Sequence, residues 1–134
     1  MSRSLGVDFG TKRVGLAISD SLGLTARPLS VVARSSVIEE VVNLVKEQDI
    51  GTIVVGLPTG LSGGEGMSAI EARKLADELG IATGVDVVLI DERFTSRIAE
   101  VALVESGMKR RKRRETVDKV AAAIILQDYL DSER

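Results

Sequence analysis

Apolar positions in the first quarter of the chain form short runs separated by turn residues. Leu5–Asp8 and Val14–Ser19 favour extended backbone, and Gly10-Thr11 between them has turn chemistry, so the two runs predict an antiparallel hairpin. Leu29–Val32, which follows Pro28, predicts a short third strand. The chain is therefore expected to begin as a three-stranded meander.

The middle of the chain alternates between helical and extended patterns. Ser36-Val37-Ile38-Glu39 has the form of a capping box, and apolar residues recur at helical spacing from there to Asp49. Continuous apolar runs such as Thr52–Leu57 are typical of parallel strands buried on both faces. The next elements in order are a helix over Met67–Leu79 that stops at Gly80 and a buried strand over Val85–Asp91.

Two further helices are predicted in the last third. Thr95 or Ser96 caps the first, which runs to Gly107, and the second extends from Thr116 to about Leu130. Three strands, then alternating helices and strands, then helices indicate an α/β fold with a mixed five-stranded sheet flanked by helices. At 134 residues the chain is expected to form a single domain over residues 1–134.

The amino-acid composition restricts the possible catalytic chemistry more than it restricts the possible folds. The chain contains no Cys and no His, which excludes disulfides, thiol catalysis, His-based triads and zinc sites with His or Cys ligands. Catalysis would have to use carboxylates, Lys, Arg or hydroxyls, and carboxylate oxygens suit Mg²⁺ or Mn²⁺. No apolar run reaches the ~20 residues of a membrane span, and no leader precedes the first strand, so we expect a cytoplasmic protein without a membrane partner.

Three carboxylates occupy places where solubility does not require a charge. Asp8 ends the first strand, Glu92 ends the last strand, and Asp118 lies on the same helical stripe as buried alanines, so it should face the sheet. Each has a structural alternative: a turn cap for Asp8, an ordinary charged strand end for Glu92, and a favourable helix dipole for Asp118. Taken together, the three carboxylates favour a metal site.

A run of six cations stands out from an otherwise acidic chain. It contains one third of the eighteen Lys and Arg residues, and six adjacent cations gain from an anionic partner. We expect this run to bind nucleic-acid backbone without reading sequence; a solvated loop is the alternative. Aromatic residues make up only 2% of the chain, which argues against base stacking. The residues of this basic run are Lys109, Arg110, Arg111, Lys112, Arg113 and Arg114.

Four motifs in order resemble the YqgF/RuvX family, which is described as RNase H-like Holliday junction resolvases or pre-16S rRNA processing nucleases. The resemblance implies an RNase H-like fold and assigns Asp8, Glu92 and Asp118 as the catalytic, metal-binding carboxylates. Independently of the resemblance, phosphodiester hydrolysis by clustered carboxylates indicates two Mg²⁺ or Mn²⁺ ions, and we expect Asp8 to bridge them. The motifs are Gly6-Val7-Asp8-Phe9-Gly10 with Arg13 and Gly15, then Gly56-Leu57-Pro58, then Asp91-Glu92-Arg93-Phe94-Thr95-Ser96, and finally Asp118-Lys119-x-Ala121-Ala122 with Ile125-Leu126 and Tyr129-Leu130.

Cations beside these carboxylates have two open roles. Lys12, Arg13 and Arg93 could contact phosphate or could balance the charge of the acidic cluster. The loop Thr59–Gly66 contains four glycines but lacks the Lys-Ser/Thr ending of a P-loop, and it departs from the Asn-Met-Asp-Gly type of stretch that related sequences often carry.

The sequence predicts a nuclease acting on structured nucleic acid, either pre-rRNA or branched DNA. We favour the 5′ end of pre-16S rRNA, in ribosomal precursor particles, because paired cuts in a junction normally require a two-fold dimer and no segment has an uninterrupted apolar face. The sequence leaves the oligomeric state open. Two alternatives are a non-catalytic RNA-binding or ribosome-assembly factor and an ATP-binding domain resembling the actin, hexokinase and sugar-kinase group.

Overall fold

A computed structural model of the chain describes residues 2–10, 12–58, 67–92 and 110–133, with the side chains of 58, 67, 68, 92 and 110–115 left out. Five strands form one sheet in the order β3-β2-β1-β4-β5, with antiparallel pairs on the β3 side of β1 and parallel pairs on the β5 side. The predicted mixed five-stranded sheet is confirmed. The elements are β1 Arg3–Asp8, β2 Arg13–Ser19, β3 Ala26–Ala33, α1 Val37–Glu47, β4 Ile50–Pro58, α2 Met67–Thr83, β5 Asp86–Glu92 and α3 Arg110–Ser132, with a 3-10 turn at Arg34–Ser36.

Side-chain alternation along the central strands divides the core between the two faces of the sheet. Leu5 and Val7 of β1 pack with residues of α1 and α2, whereas Ala17 of β2 and Val54 of β4 pack under α3. Helices α1 and α2 therefore cover one face of the sheet and α3 covers the other.

Helix α3 approaches the sheet closely because β1 and β2 have glycines, Gly6 and Gly15, where the helix crosses them. A Cβ added to Gly6 would lie 2.8 Å from the Ala122 carbonyl oxygen and 2.8 Å from the Leu126 Cβ. Ala121 and Ala122, which lie on the same helical stripe as Asp118, are fully buried. Small residues on both surfaces therefore place the backbone of α3 almost directly on β1 and β2.

Two predicted helix signals are wrong in detail. Helix α2 continues through Gly80 to Thr83 and ends before Gly84, whose φ of +73° is the left-handed conformation that follows many helices. The Gly84 N–H donates to the Gly80 carbonyl at 2.9 Å, so Gly80 is an interior helical residue. Ser36 makes no side-chain capping bond, because the preceding 3-10 turn already holds its backbone in a helical conformation.

The observed starts of β3 and α3 also differ from the predicted ones. Strand β3 begins at Ala26, before Pro28, which an edge strand tolerates because one side of its backbone has no partner strand. Helix α3 begins at Arg110 rather than Thr116, so Arg110–Arg114 form its first turn instead of a loop. The helix predicted between Thr95 and Gly107 and the Thr59–Gly66 loop lie outside the described residues. The part of the chain that the structure describes contains no helix that could span a bilayer.

Candidate active site

Asp8 is a nearly buried carboxylate at the end of the central strand. It is only 6% exposed, and its Cα partners on the neighbouring strands are Gly15 in β2 and Gly56 in β4. Since Gly6 faces α3 and alternate residues share a face, Asp8 lies on the α3 side of the sheet. Both strand neighbours are glycines, so neither places a side chain beside the Asp8 carboxylate.

Asp118 lies on the same face, where α3 crosses Gly15. A Cβ added to Gly15 would be 2.0 Å from the Asp118 carbonyl oxygen, so the helix backbone rests on this glycine. Gly15 and Asp8 are antiparallel Cα partners, a separation of about 4.5–5.5 Å. The structure therefore brings Asp8 and Asp118 to one place, although they are distant in sequence.

The predicted orientation of Asp118 agrees with the structure, but its position in the helix does not. The side chain is 20% exposed and faces the sheet. Asp118 is the ninth residue of α3, well beyond the first turn in which a helix dipole acts on a charge. Dipole stabilisation at a helix N-terminus therefore does not explain this aspartate.

Arg13 forms an ion pair with Asp118. Its Nε–H donates to Asp118 Oδ2, and the two side chains form an ion pair across the gap between β2 and α3. Arg13 is 40% exposed, twice the value for Asp118, so the pair lies at the rim of the site. Of the two roles left open for Arg13, charge balance is thus observed, whereas contact with phosphate stays a prediction.

Glu92, the third predicted carboxylate, has its backbone at the same edge of the sheet. It is the last residue of β5 and pairs with Pro58, the last residue of β4. Strands β1, β4 and β5 are parallel, so their carboxyl ends lie along one edge. The side chain of Glu92 is outside the described residues, and its role as a ligand stays a prediction.

The neighbouring Asp91 belongs to the opposite face. Its Cα partner Leu57 packs with Ala69 and Ala72 of α2, and partners in a sheet share a face. Asp91 is exposed on that side, away from Asp8. Residue type alone does not show which of the two adjacent acids, Asp91 or Glu92, faces Asp8. The register of β5 shows that Asp91 does not.

The predicted phosphate-binding residues are only partly within the described chain. Lys12 is exposed in the turn that follows Asp8, and its carbonyl accepts the Arg34 N–H at 3.0 Å. Arg110–Arg114 occupy the start of α3, about 6–12 Å along the helix axis from Asp118 at 1.5 Å per residue. Arg93 and Lys109 lie outside the described residues.

The donor set at this edge fits divalent metal ions. Asp8 and Asp118 offer hard carboxylate oxygens, the ligands that Mg²⁺ and Mn²⁺ prefer, on either side of Gly15, which has no side chain. Among the side chains that the structure describes, no group of three or more His, Cys, Asp or Glu residues forms a metal cluster. Because Glu92 is not among those side chains, the complete ligand set stays a prediction.

Comparison with solved structures identifies the fold. The chain superposes on Thermus thermophilus RuvC, solved in complex with a Holliday junction substrate, with a TM-score of 0.60 over 99% of this chain and 96% of that chain, at 17% identity. The fowlpox virus Holliday junction resolvase gives a TM-score of 0.51 over 97% and 99% of the two chains, at 14% identity. The chain therefore has the RNase H-like fold of these resolvases, as predicted.

Comparison of sequences identifies the family. The chain is 48% identical over 132 residues to a protein of Anaeromyxobacter sp. (strain Fw109-5) named "Putative pre-16S rRNA nuclease", covering 96% of each chain. A protein of the same name from Halalkalibacterium halodurans is 41% identical over 137 residues, covering 98% of each. The model of the RuvX family, described as Holliday junction resolvase, matches residues 2–132. The chain belongs to the RuvX family.

Proposed function

We propose that this protein is a metal-dependent nuclease that hydrolyses phosphodiester bonds in structured nucleic acid and processes the 5′ end of pre-16S rRNA. The observation that carries the proposal is the convergence of Asp8 and Asp118 at Gly15, at the edge where β5 ends in Glu92. Core packing alone does not account for a nearly buried carboxylate such as Asp8, because burying a charge is costly.

In the proposed mechanism, Asp8 would be a ligand of both of two Mg²⁺ or Mn²⁺ ions, and Glu92 and Asp118 would complete the ligand set. Such ions, when bound, activate the attacking water and stabilise charge on the leaving oxygen. The chain itself supplies rigid placement: Asp8 is fixed within the central strand and Asp118 by the contact of its backbone with Gly15. Neither acid has to reorganise before the reaction, which is how a preorganised site contributes to rate.

Substrate binding is assigned to cations near this edge. Arg110–Arg114 continue the same helix that carries Asp118, so phosphate held by the basic run lies close to the carboxylates. Contacts to phosphate position a nucleic acid without reading its sequence. We therefore propose that the protein recognises backbone and shape, and that Lys12 and Arg93 contribute to the same surface.

Pre-rRNA is favoured as the substrate by the names of the relatives, which are similar over nearly their whole length. Ribosomal precursor particles in the cytoplasm would then be the natural partners. A Holliday junction is the second candidate, favoured by the description of the family model.

One experiment separates these substrates and also tests the enzymatic assignment. The purified protein is given Mn²⁺ and equal amounts of an end-labelled precursor rRNA leader and a four-way DNA junction, with Asp8→Asn as the control. Trimming of the RNA by the wild type alone supports the proposal. Paired symmetric cuts in the junction, with intact RNA, would instead identify a resolvase, and tight binding of RNA without any cleavage would identify a non-catalytic assembly factor.

A further inference from the structure

The ion pair between Arg13 and Asp118 places a cation on a carboxylate that the proposed function assigns to metal. Arg13 Nε–H donates to Asp118 Oδ2, so one ligand oxygen already has a partner. A guanidinium is always protonated in proteins, and a divalent ion on the same carboxylate would be repelled by it at short range. The two cations therefore compete for Asp118.

The structure also indicates which side chain yields. Asp118 is held by its backbone, whose carbonyl rests on Gly15, and its side chain is 20% exposed. Arg13 is 40% exposed and has a long, flexible side chain at the rim of the site. When a divalent ion binds Asp118, the guanidinium can move into solvent, while the carboxylate stays in place.

We infer that Arg13 is an internal counter-ion that occupies Asp118 in the metal-free protein and is displaced when a divalent ion binds. This inference rests on the proposed function, because it requires Asp118 to be a metal ligand. It joins the two roles that the sequence left open for Arg13. The guanidinium balances Asp118 before metal binds and is released with its fork of donors available to phosphate afterwards.

Removing the counter-ion should raise the affinity of the site for metal. Arg13→Gln abolishes the competing charge, and we expect Mn²⁺ to bind this variant about three- to tenfold more tightly than the wild type, which is the range for a half-exposed, charge-assisted pair. Electron paramagnetic resonance of free Mn²⁺ measures this affinity on the protein alone, without substrate or turnover.

Arg27→Gln is the matched control. It makes the same change in net charge at an exposed position of β3, six residues along the strand from Ala33, the partner of Arg13. Six residues of strand span about 20 Å, which exceeds the ~10 Å screening length at 0.1 M salt. The Mn²⁺ affinity of Arg27→Gln should therefore equal that of the wild type.

A second measurement follows the ion pair itself. In ¹⁵N-labelled protein, the Arg13 Nε–H signal is identified by its loss in Arg13→Gln. Titration with diamagnetic Mg²⁺ should move this signal in the wild type toward the position that it has in Asp118→Asn, where the carboxylate acceptor has lost its charge.

The outcomes distinguish the inference from the proposed function. If the wild type binds Mn²⁺ but Arg13→Gln binds with equal or lower affinity, and Mg²⁺ leaves the Nε–H signal in place, Arg13 does not compete with metal and only the inference fails. If the wild type binds no Mn²⁺ at all, the metal site fails and the inference fails with it. Tighter binding by Arg13→Gln together with a moving signal supports both.

Discussion

The contact between Gly15 and the Asp118 carbonyl makes one substitution unusually informative. A methyl group added at Gly15 would lie 2.0 Å from that oxygen and 2.9 Å from the Lys119 nitrogen, whereas ordinary contacts begin at 3.4 Å. The obstructing atoms belong to helix backbone, which cannot rotate away as a side chain can. In Gly15→Ala, α3 or β2 must therefore move by more than an ångström at the place where the Asp118 backbone lies on Gly15.

Two opposing effects set the expected loss of stability. Overpacking costs about 1–3 kcal/mol, and replacing glycine recovers about 0.4–1 kcal/mol through the entropy of the unfolded chain. A net loss of about 1–2 kcal/mol in the free energy of unfolding is expected. Catalysis should suffer more, because a displacement of about 1 Å in a catalytic group can lower the rate ~10²-fold.

Urea unfolding and single-turnover cleavage with Mn²⁺ measure the two effects on the same preparations. Gly80→Ala is the matched control, since its added methyl would lie 3.5 Å from the Val87 Cγ2, an ordinary contact, within helix α2. This variant should gain about 0.5–1 kcal/mol and keep its activity. Wild-type stability and cleavage in Gly15→Ala would refute the claim that this close approach positions Asp118.

Three further predictions concern other parts of the molecule. Replacing all six residues of Lys109–Arg114 with Gln should weaken binding to nucleic acids of every sequence alike. It should also reduce the slope of log binding constant against log salt concentration for duplex DNA by up to about 5, as measured by fluorescence anisotropy. An unchanged slope would mean that the run does not contact phosphate. The Leu24 N–H donates to the Asp20 carboxylate at 2.8 Å and lowers the pKa of Asp20 below the ordinary 3.8, so this bond stabilises the folded protein fully above about pH 4 and less as pH falls through the lowered pKa. Carboxyl ¹³C NMR of Asp20 checks the direction of the pKa shift, and the stability of Asp20→Asn should lack this part of the pH dependence. Arg34→Gln removes a guanidinium that lies 5.8 Å from the ring centroid of Phe9 and should cost about 0.5–1 kcal/mol in urea unfolding, whereas in a Phe9→Leu background the same change should cost less.

The pattern of apolar residues was sufficient to predict the sheet and the side of α3 that packs against it. Two short apolar runs with turn residues between them predict the hairpin, and the stripe shared by Asp118, Ala121 and Ala122 correctly predicts that this acid faces the sheet. These predictions succeed because burial of an apolar face dominates both elements. The same information cannot measure how closely the helix lies on the sheet, which depends on Gly6 and Gly15 of other strands.

Helix ends were harder to predict because local signals compete. Like charges three and four residues apart, and cations at a helix N-terminus, disfavour a helix over Arg110–Arg114, although arginine itself is a good helix former. The structure nevertheless begins α3 at Arg110. In α2, the signal at Gly80 gives way to packing against β5 and to the left-handed Gly84 that ends the helix. Tertiary context decides both cases.

The ion pair between Arg13 and Asp118 was outside the reach of sequence reasoning. The two residues are 105 positions apart, and both Arg13 and Lys12 follow Asp8 closely enough to be its partner. Only the crossing of α3 over β2 selects Arg13. Arg34, which supports the turn after Asp8 through the Lys12 carbonyl, carried no motif that could have identified it.

We propose that Asp8 and Asp118 hold the metal ions with which this protein cuts nucleic acid. Single-turnover cleavage of the substrate preferred by the wild type tests this role. The reaction is run with Mn²⁺, with excess EDTA, and with Asp8→Asn and Asp118→Asn, both confirmed as folded by circular dichroism. We predict that EDTA abolishes cleavage and that each substitution lowers the rate by at least ~100-fold while nucleic-acid affinity stays near that of the wild type. Cleavage that persists in EDTA, or near wild-type turnover in either variant, would show that these carboxylates do not hold a catalytic metal.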